Sequence, residues 1–246
     1  MRRNQRNAGR LFVHTAAAHD DGDQDDVRPD PLLIFDCDGV LIDSETIACG
    51  AEAAYLAELG IVVSAEELLE RYLGISMAVM LADLESRHDR SLPALPRDFA
   101  DTLRRRVAIA FETDLRPMPG IEAALASLPA RRCVASSSAP ERLRHSLGLT
   151  GLLPHFEPHI FSATQVARGK PAPDLFLFAA ARMDATPEAC VVIEDSLPGV
   201  QAAVAAGMRV IGFTGGSHCR PGHAERLRAA GASAVCACMA ELGAVM

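Results

Sequence analysis

The chain lacks tryptophan altogether, and aromatic residues make up only 4% of its 246 positions. A core must therefore be packed mainly from Ala, Leu, Val and Ile, and a hydrophobic fraction of 49% is ample for that. No apolar run approaches the roughly 20 residues of a membrane span, so a membrane partner is not expected. Positive charge is in deficit. The net charge of −8 argues against a nucleic-acid or membrane-surface partner. Lysine is nearly missing: Lys170 stands alone against 23 arginines. There is also no Cys-x-x-Cys pair. The seven cysteines (Cys37, Cys49, Cys133, Cys190, Cys219, Cys236 and Cys238) are odd in number and scattered. That pattern predicts reduced thiols in a cytoplasmic protein, packed as small core residues, and argues against a disulfide framework or a zinc site.

What is present begins with a polar stretch. Residues 1–30 carry four arginines in the first ten positions and an acidic cluster at Asp20, Asp21, Asp23, Asp25 and Asp26. The patch Leu11 to Val13 is too short for a signal-peptide core. The segment reads as a disordered extension, with targeting as the alternative.

The stretch that follows organises the rest. Leu32 to Phe35 is a four-residue apolar run that stops at Asp36-Cys37-Asp38-Gly39. It reads as a buried strand ending in two carboxylates, which is costly unless something cationic meets them. The chain then turns helical. Glu45 to Leu59 places Ile47, Ala51, Ala54, Tyr55 and Leu59 at helical spacing, and Gly60 ends the helix. Ser64-Ala65-Glu66-Glu67 predicts a capping box that opens a helix ending near Leu73-Gly74. Ser76 caps the next helix, with Met77, Met80, Leu81 and Leu84 on one face, and a Pro-containing loop spans Glu85 to Pro96. A further helix covers Arg97 to Phe111. Residues 45–115 thus read as a helical insert placed directly after the first strand.

Beyond it strands and helices alternate. Strands are expected at Arg132 to Ala135, Ile160-Phe161, Cys190 to Ile193, Arg209 to Phe213 and Val235 to Ala237, with helices between them. Alternation of this kind implies a doubly wound parallel sheet, an α/β Rossmann-like core formed by 31–44 and 116–246. In such a sheet every strand's carboxyl end lies on one edge. Asp36 and Asp38, Ser136, Lys170, and Glu194 with Asp195 can therefore converge. Four carboxylates around a point repel unless a divalent cation sits among them, and an all-oxygen set suits Mg²⁺. One ammonium and one hydroxyl suit a phosphoryl group. Each piece has a plain alternative. The aspartates could be turn residues, Ser136 to Ser138 a helix cap, Lys170 a solvated side chain, and Glu194-Asp195 a partner for the next helix's N-terminus. Arg104-Arg105-Arg106 reads as a solvated face, the alternative being one arginine that reaches substrate, and His218 and His223 read as part of a surface loop beside Gly215-Gly216, the alternative being that they border the site.

Taken together, Asp36-Cys37-Asp38-Gly39-Val40, Ser136, Lys170-Pro171 and Glu194-Asp195 resemble the four motifs of the haloacid dehalogenase-like hydrolase superfamily, in order and at suitable spacing. The resemblance covers about Pro31 to Ala237, and the helical insert is similar to that superfamily's α-helical cap. The nearest subgroup is that of β-phosphoglucomutase-like proteins and sugar-phosphate phosphatases. It implies a Mg²⁺-dependent phosphatase acting on a small phosphorylated metabolite, a sugar or sugar-acid phosphate. Asp36 would be the nucleophile that becomes an aspartyl-phosphate, and Asp38 the general acid and base. Asp36, Asp38 (through its carbonyl), Asp195 and Glu194 would hold the metal. Ser136, Ser137, Gly39 and Lys170 would contact the phosphate. A monomer is expected.

The same resemblance separates activities. Dehalogenases of the superfamily lack the aspartate found here at Asp38. Phosphonatases need a cap lysine, and the only lysine is Lys170. The β-phosphoglucomutase pattern has a histidine twelve residues after the nucleophile and an arginine after the cap's Gly-hydrophobic-Ser loop. Ala48 and Met77 occupy those positions, which favours hydrolysis over a mutase. A non-catalytic phosphate-binding protein on the same fold is the reading from another class.

Overall fold

A computed structural model describes residues 30–72, 77–88 and 91–246. The expected disordered extension and the Gly74-Ile75-Ser76 loop, with its Ser76 cap, fall outside the described residues.

Six strands form one parallel sheet in the order β3-β2-β1-β4-β5-β6. They are β1 (Leu32–Phe35), β2 (Arg132–Ser136), β3 (Ile160–Ser162), β4 (Cys190–Glu194), β5 (Arg209–Phe213) and β6 (Ala234–Cys236). The chain winds outward from β1 to β3, then returns to place β4 on β1's other side. β1 is thus central, with Phe35 in register with Val134 on one side and Ile193 on the other. Both faces of this strand are covered, so all four of its residues are apolar and buried. Alternation divides them. Leu33 and Phe35 join the core beneath α5 (Ile121–Ser127) and α6 (Pro140–Leu149), while Leu32 and Ile34 join the one beneath α7 (Asp174–Arg182) and α8 (Leu197–Ala205). The last helix, α9 (His223–Ala230), packs on β5 and β6.

Between β1 and α5 the described chain is helical: α1 (Glu45–Glu58), α2 (Ala65–Glu67), a π-helical turn over Leu68–Tyr72, α3 (Met77–His88) and α4 (Phe99–Asp114). It has its own apolar cluster, built around Tyr55, Leu56, Ile61, Leu84 and Phe99. The Tyr55 and Phe99 rings stack at 5.0 Å, and Arg106 lies over Tyr55 while forking onto Glu58 at 2.6 and 2.7 Å. No described helix is long and apolar enough to cross a membrane.

Three local expectations differ. The capping box at Ser64 is half made: its hydroxyl accepts from Glu67 N–H, but the Glu67 carboxylate is taken by Arg87 at 2.5 Å. A charge-assisted bond displaces the reciprocal backbone contact. The helix it opens is α-helical for three residues and then widens into the π turn. The fourth helix begins at Phe99 rather than Arg97, just after Pro96 and Asp98.

Candidate active site

The sheet's carboxyl edge gathers the polar strand ends. Asp36 leaves β1 with its backbone N–H still bonded to the Ile193 carbonyl at 3.0 Å. Lys170, from the loop before α7, reaches the same place. Its ammonium donates to Asp36 Oδ1 and Glu194 Oε1, both at 2.6 Å, and lies 5.1 Å from the centre of the Phe176 ring. The side chains of all three are less than a tenth exposed. Burial alone would strip the lysine of its proton, but the two carboxylates outweigh it and hold Lys170 above its ordinary range. The solvated-lysine alternative is therefore not what the structure shows.

Both oxygens of Glu194 accept hydrogen bonds. Oε1 accepts from Lys170, while Oε2 accepts from Ser196 N–H at 2.8 Å and the Ser196 hydroxyl at 3.0 Å. A Cβ on Gly199 would overlap this carboxylate, so only glycine lets the first turn of α8 approach it. Asp195, from the turn after β4, is buried beside Asp36 and Glu194, and the three can each place one oxygen within 4.8 Å of the others.

These charges do not balance. Three carboxylates and one ammonium leave two negative charges in a buried spot. Burial, with repulsion from Glu194, pushes Asp195 well above the usual carboxyl range, and burial with Glu194 and Asp195 does the same to Asp36 despite Lys170. A divalent cation is what this donor set fits, and an all-oxygen set suits a hard ion such as Mg²⁺.

Asp38 sits in a different environment. Oδ1 accepts from the Ser44 hydroxyl at 2.6 Å and from Arg142 at 3.0 Å, and Oδ2 accepts from the Ser138 hydroxyl at 2.7 Å. Burial works against its charge, yet these donors, Arg142 first, hold it below its ordinary range. Arg142 comes from α6 and rests over the Phe111 ring at 5.1 Å. Two neighbouring aspartates thus have opposite tendencies. Sequence reasoning missed Arg142, which lies six residues beyond Ser136. The signal available was its position two residues into α6, after Pro140, on the helix that follows the serine loop.

Not every expected contact is present. Ser136 and Ser137 face the cavity, and Ser136 Oγ also accepts from Ser138 N–H at 3.2 Å, so the loop caps itself as well. Gly39 does not line the cavity. Its N–H is spent on the Ile42 carbonyl at 2.8 Å, and with φ +79° its missing side chain makes room for Asp195 and the His218 ring. The backbone here serves close approach rather than an anion. Arg104, Arg105 and Arg106 bond to Asp101, Thr102 and Glu58, as expected of a solvated face. His218 departs from the surface-loop expectation: it is 5% exposed and lies 2.9 Å from Asp195 Oδ2.

Above this floor lies a cavity of about 970 Å³, bounded on the other side by residues of α1, the π turn and the start of α3, among them Ala48, Glu52, Arg71 and Met77. Glu45 stands between the two. Burial and the charges of Asp38 and Asp195 push its carboxyl up to about 8, with His218 and Arg142 opposing. A prediction follows for the metal-free protein. Below the ordinary carboxyl range both folded and unfolded chains hold the Glu45 proton. From about 4.5 to about 8 the unfolded chain loses it and the folded chain does not, so this group lowers stability as pH rises through that window. Urea midpoints measured with EDTA across the window are expected to fall more steeply for wild type than for Glu45→Gln.

The family model for haloacid dehalogenase-like hydrolases matches residues 31–207. The chain belongs to that family. Among curated relatives, 6-phosphogluconate phosphatase of Escherichia coli is 32% identical over 189 residues, covering 77% of this chain and 85% of that protein. The fructose-1-phosphate phosphatase of the same organism is 31% identical over 185 residues, covering 73% and 94%. Among solved structures, a haloacid dehalogenase-like protein from Agrobacterium tumefaciens superposes with a TM-score of 0.79 at 43% identity, covering 87% of this chain and 96% of that one. A family hydrolase from Deinococcus radiodurans, solved with bound phosphate and sodium, gives 0.72 at 35% identity over 87% and 93%. Membership makes the chain a hydrolase by family and accounts for the parallel sheet and the order of its strand-end motifs. It leaves to the individual side chains what each of them does.

Proposed function

We propose that the chain is a Mg²⁺-dependent phosphatase that hydrolyses a small sugar or sugar-acid phosphate monoester through an aspartyl-phosphate on Asp36. The observation that carries this is the pair of aspartates on one strand exit. Asp36 is bonded to Lys170 in an under-neutralised carboxylate cluster, and Asp38, two residues on, is held ionised by Arg142. Phosphatase names among the relatives support the substrate class. In this reading 31–44 with 116–246 form the catalytic core, and residues 45–115 are a cap that limits what reaches it.

Asp36, Asp195 and the Asp38 carbonyl would hold the metal, with Glu194 orienting Lys170 and serving the ion directly or through a bound water. Bound there, Mg²⁺ supplies positive charge against the phosphoryl oxygens and Asp36. The chain's own groups do the rest. Asp36 Oδ attacks phosphorus as the P–O bond to the sugar breaks, and Lys170 offsets the charge gathered on Asp36 and the phosphoryl group. Ser136 and Ser137 are placed to donate to the remaining oxygens. Asp38 gives its proton to the departing alkoxide, then takes one from the water that attacks the aspartyl-phosphate. Its three donors favour the ionised form, which suits the second step. To act in the first step Asp38 must first leave part of that donor set and take up a proton from solvent or from the substrate's monoprotonated phosphate, which it then passes to the alkoxide.

Ala48 and Met77 both line the cavity, at the positions where a mutase of the resembling pattern carries histidine and arginine. Water as the final acceptor fits that apolar lining. The test is phosphate release from a panel of hexose, hexitol and sugar-acid phosphates with Mg²⁺, with EDTA as control. Turnover on part of the panel that EDTA abolishes supports the reading. Binding without turnover on the whole panel would sink it, and conversion of glucose 1-phosphate to glucose 6-phosphate would replace it with a mutase.

A second measurement isolates Asp38. Removing Arg142 takes away its main charge partner and leaves burial to act. Arg142→Ala is expected to lower kcat by about 10² and to move the acid limb of the rate profile to higher pH. Arg142→Lys should recover part of both.

A further inference from the structure

Beside the carboxylate cluster lies a group of side chains to which the reaction above assigns no role. His218, Cys219 and His223 can each bring one ligand atom within 4.8 Å of the others. We propose that they form a second metal site, selective for a thiophilic divalent ion such as Zn²⁺, which recruits Asp195 and inhibits the enzyme when filled.

The local fold builds it. Two turns fold the segment back, with Cys219 N–H on the Gly216 carbonyl and His223 N–H on the Arg220 carbonyl, both at 3.0 Å. They bring the two imidazole rings to 6.1 Å between centres. Gly216 leaves room for the His218 ring, since a Cβ there would stand 2.7 Å from its Cε1 and Nδ1. His218 is buried and Cys219 and His223 are half-buried, so the site is sheltered but reachable.

The donor chemistry separates it from the neighbouring cluster. Two imidazoles and a thiol suit Zn²⁺, whereas Mg²⁺ takes oxygen. His218 Nε2 lies 3.5 Å from Cys219 Sγ. Bonds of about 2.0–2.1 Å to nitrogen and about 2.3 Å to sulfur at a tetrahedral angle require a separation of roughly 3.5 Å. The same Nε2 lies 2.9 Å from Asp195 Oδ2, which supplies a fourth donor. His223 donates its Nε2–H to the Asp195 carbonyl at 2.6 Å, leaving Nδ1 with the lone pair a metal needs.

The protons balance. On binding, the Cys219 thiol releases one proton to solvent and the thiolate ligates. The hydrogen on His218 Nε2 leaves as the metal binds, moving to Nδ1 from a neutral ring or to solvent from an imidazolium; Nδ1 is buried and has no hydrogen-bond partner among the described residues. Asp195 is then shared with, or drawn from, the carboxylate cluster. Only that inhibitory consequence rests on the proposed role of Asp195; binding does not. The sequence hides the site because His-Cys-x-x-x-His is not a familiar ligand spacing.

The experiment uses the full chain, stripped with EDTA and returned to saturating Mg²⁺, titrated with Co²⁺ as a spectroscopic substitute for Zn²⁺. A saturable thiolate-to-cobalt absorption at one equivalent, displaced by Zn²⁺, is expected. It should vanish in Cys219→Ser, weaken in His223→Gln and persist in Cys238→Ser, the exposed cysteine. In turnover assays Zn²⁺ should inhibit wild type in excess Mg²⁺. Cys219→Ser, with unchanged basal activity, should need more than the roughly tenfold to hundredfold extra Zn²⁺ that loss of an orienting partner would explain. A band that survives Cys219→Ser, or no saturable band, overturns the site, and equal Zn²⁺ sensitivity of the two proteins overturns the inhibition. The absorption is read without substrate, so it stands or falls separately from the phosphatase reading.

Discussion

Asp36→Asn is expected to lower kcat by roughly 10⁴–10⁶ while leaving the fold intact. The substitution keeps the shape of the side chain and removes one of three crowded buried carboxylates, so less repulsion remains at Glu194 and Asp195. Lys170 keeps its 2.6 Å bond to Glu194. The melting temperature in EDTA should therefore hold steady or rise even as activity disappears. Acid-quenched wild type exposed to radiolabelled substrate should carry a base-labile phosphate, and the variant none. Full activity in Asp36→Asn would remove the nucleophile from the scheme.

Lys170→Met should do the reverse to stability. It leaves two buried carboxylates facing each other without their ammonium, and breaking a buried pair from one side costs roughly 3–5 kcal/mol. The loss is best measured by urea unfolding in EDTA, where no divalent ion can substitute for the missing charge. Turnover should also fall, by about 10²–10³, the scale of losing one pre-placed charge at a developing anion. Lys170→Arg tests whether charge alone suffices. A planar guanidinium cannot fit between Asp36 Oδ1 and Glu194 Oε1 as a compact ammonium does, so little rescue is expected. A protein in which Lys170→Met unfolds like wild type would place this lysine outside the buried network.

The contrast between these two variants reflects what a sequence can and cannot carry. The buried strand at Leu32 to Phe35 was legible because four apolar residues between turn signals admit few other readings, and the β-α alternation after residue 116 followed from the same periodicity. The convergence of Asp36, Lys170 and Glu194 was legible because a parallel sheet sends all its strand ends to one edge. Arg142 was not, since an arginine on a helix reads as solvated until its neighbours are known, and Phe111 beneath it comes from a different element. Glu194 illustrates a finer limit. Its carboxylate was readable, but its bonds to Lys170 and Ser196 depend on side-chain directions that no spacing encodes. His218 was misplaced for a related reason: a Gly-Gly-Ser loop looks exposed, and here Gly216 of that loop and Gly39 after β1 make the space that buries the ring. The half-made capping box at Ser64 failed on competition, because Arg87 lies twenty residues away and outbids a backbone N–H.

The central place of β1 has a consequence for how the protein is made. The strand that carries both aspartates emerges from the ribosome first, yet each of its neighbours comes later. Lys170 follows Asp36 by 134 residues, roughly 7–27 s at a synthesis rate of about 5–20 residues per second. β2 can cover one edge of the strand once Arg132–Ser136 has emerged, but throughout that interval the edge that β4 will take stays open and the carboxylates stay in water. Nascent chains halted before β4 should aggregate, and the first moment at which the strand can be sealed is the arrival of Cys190–Glu194.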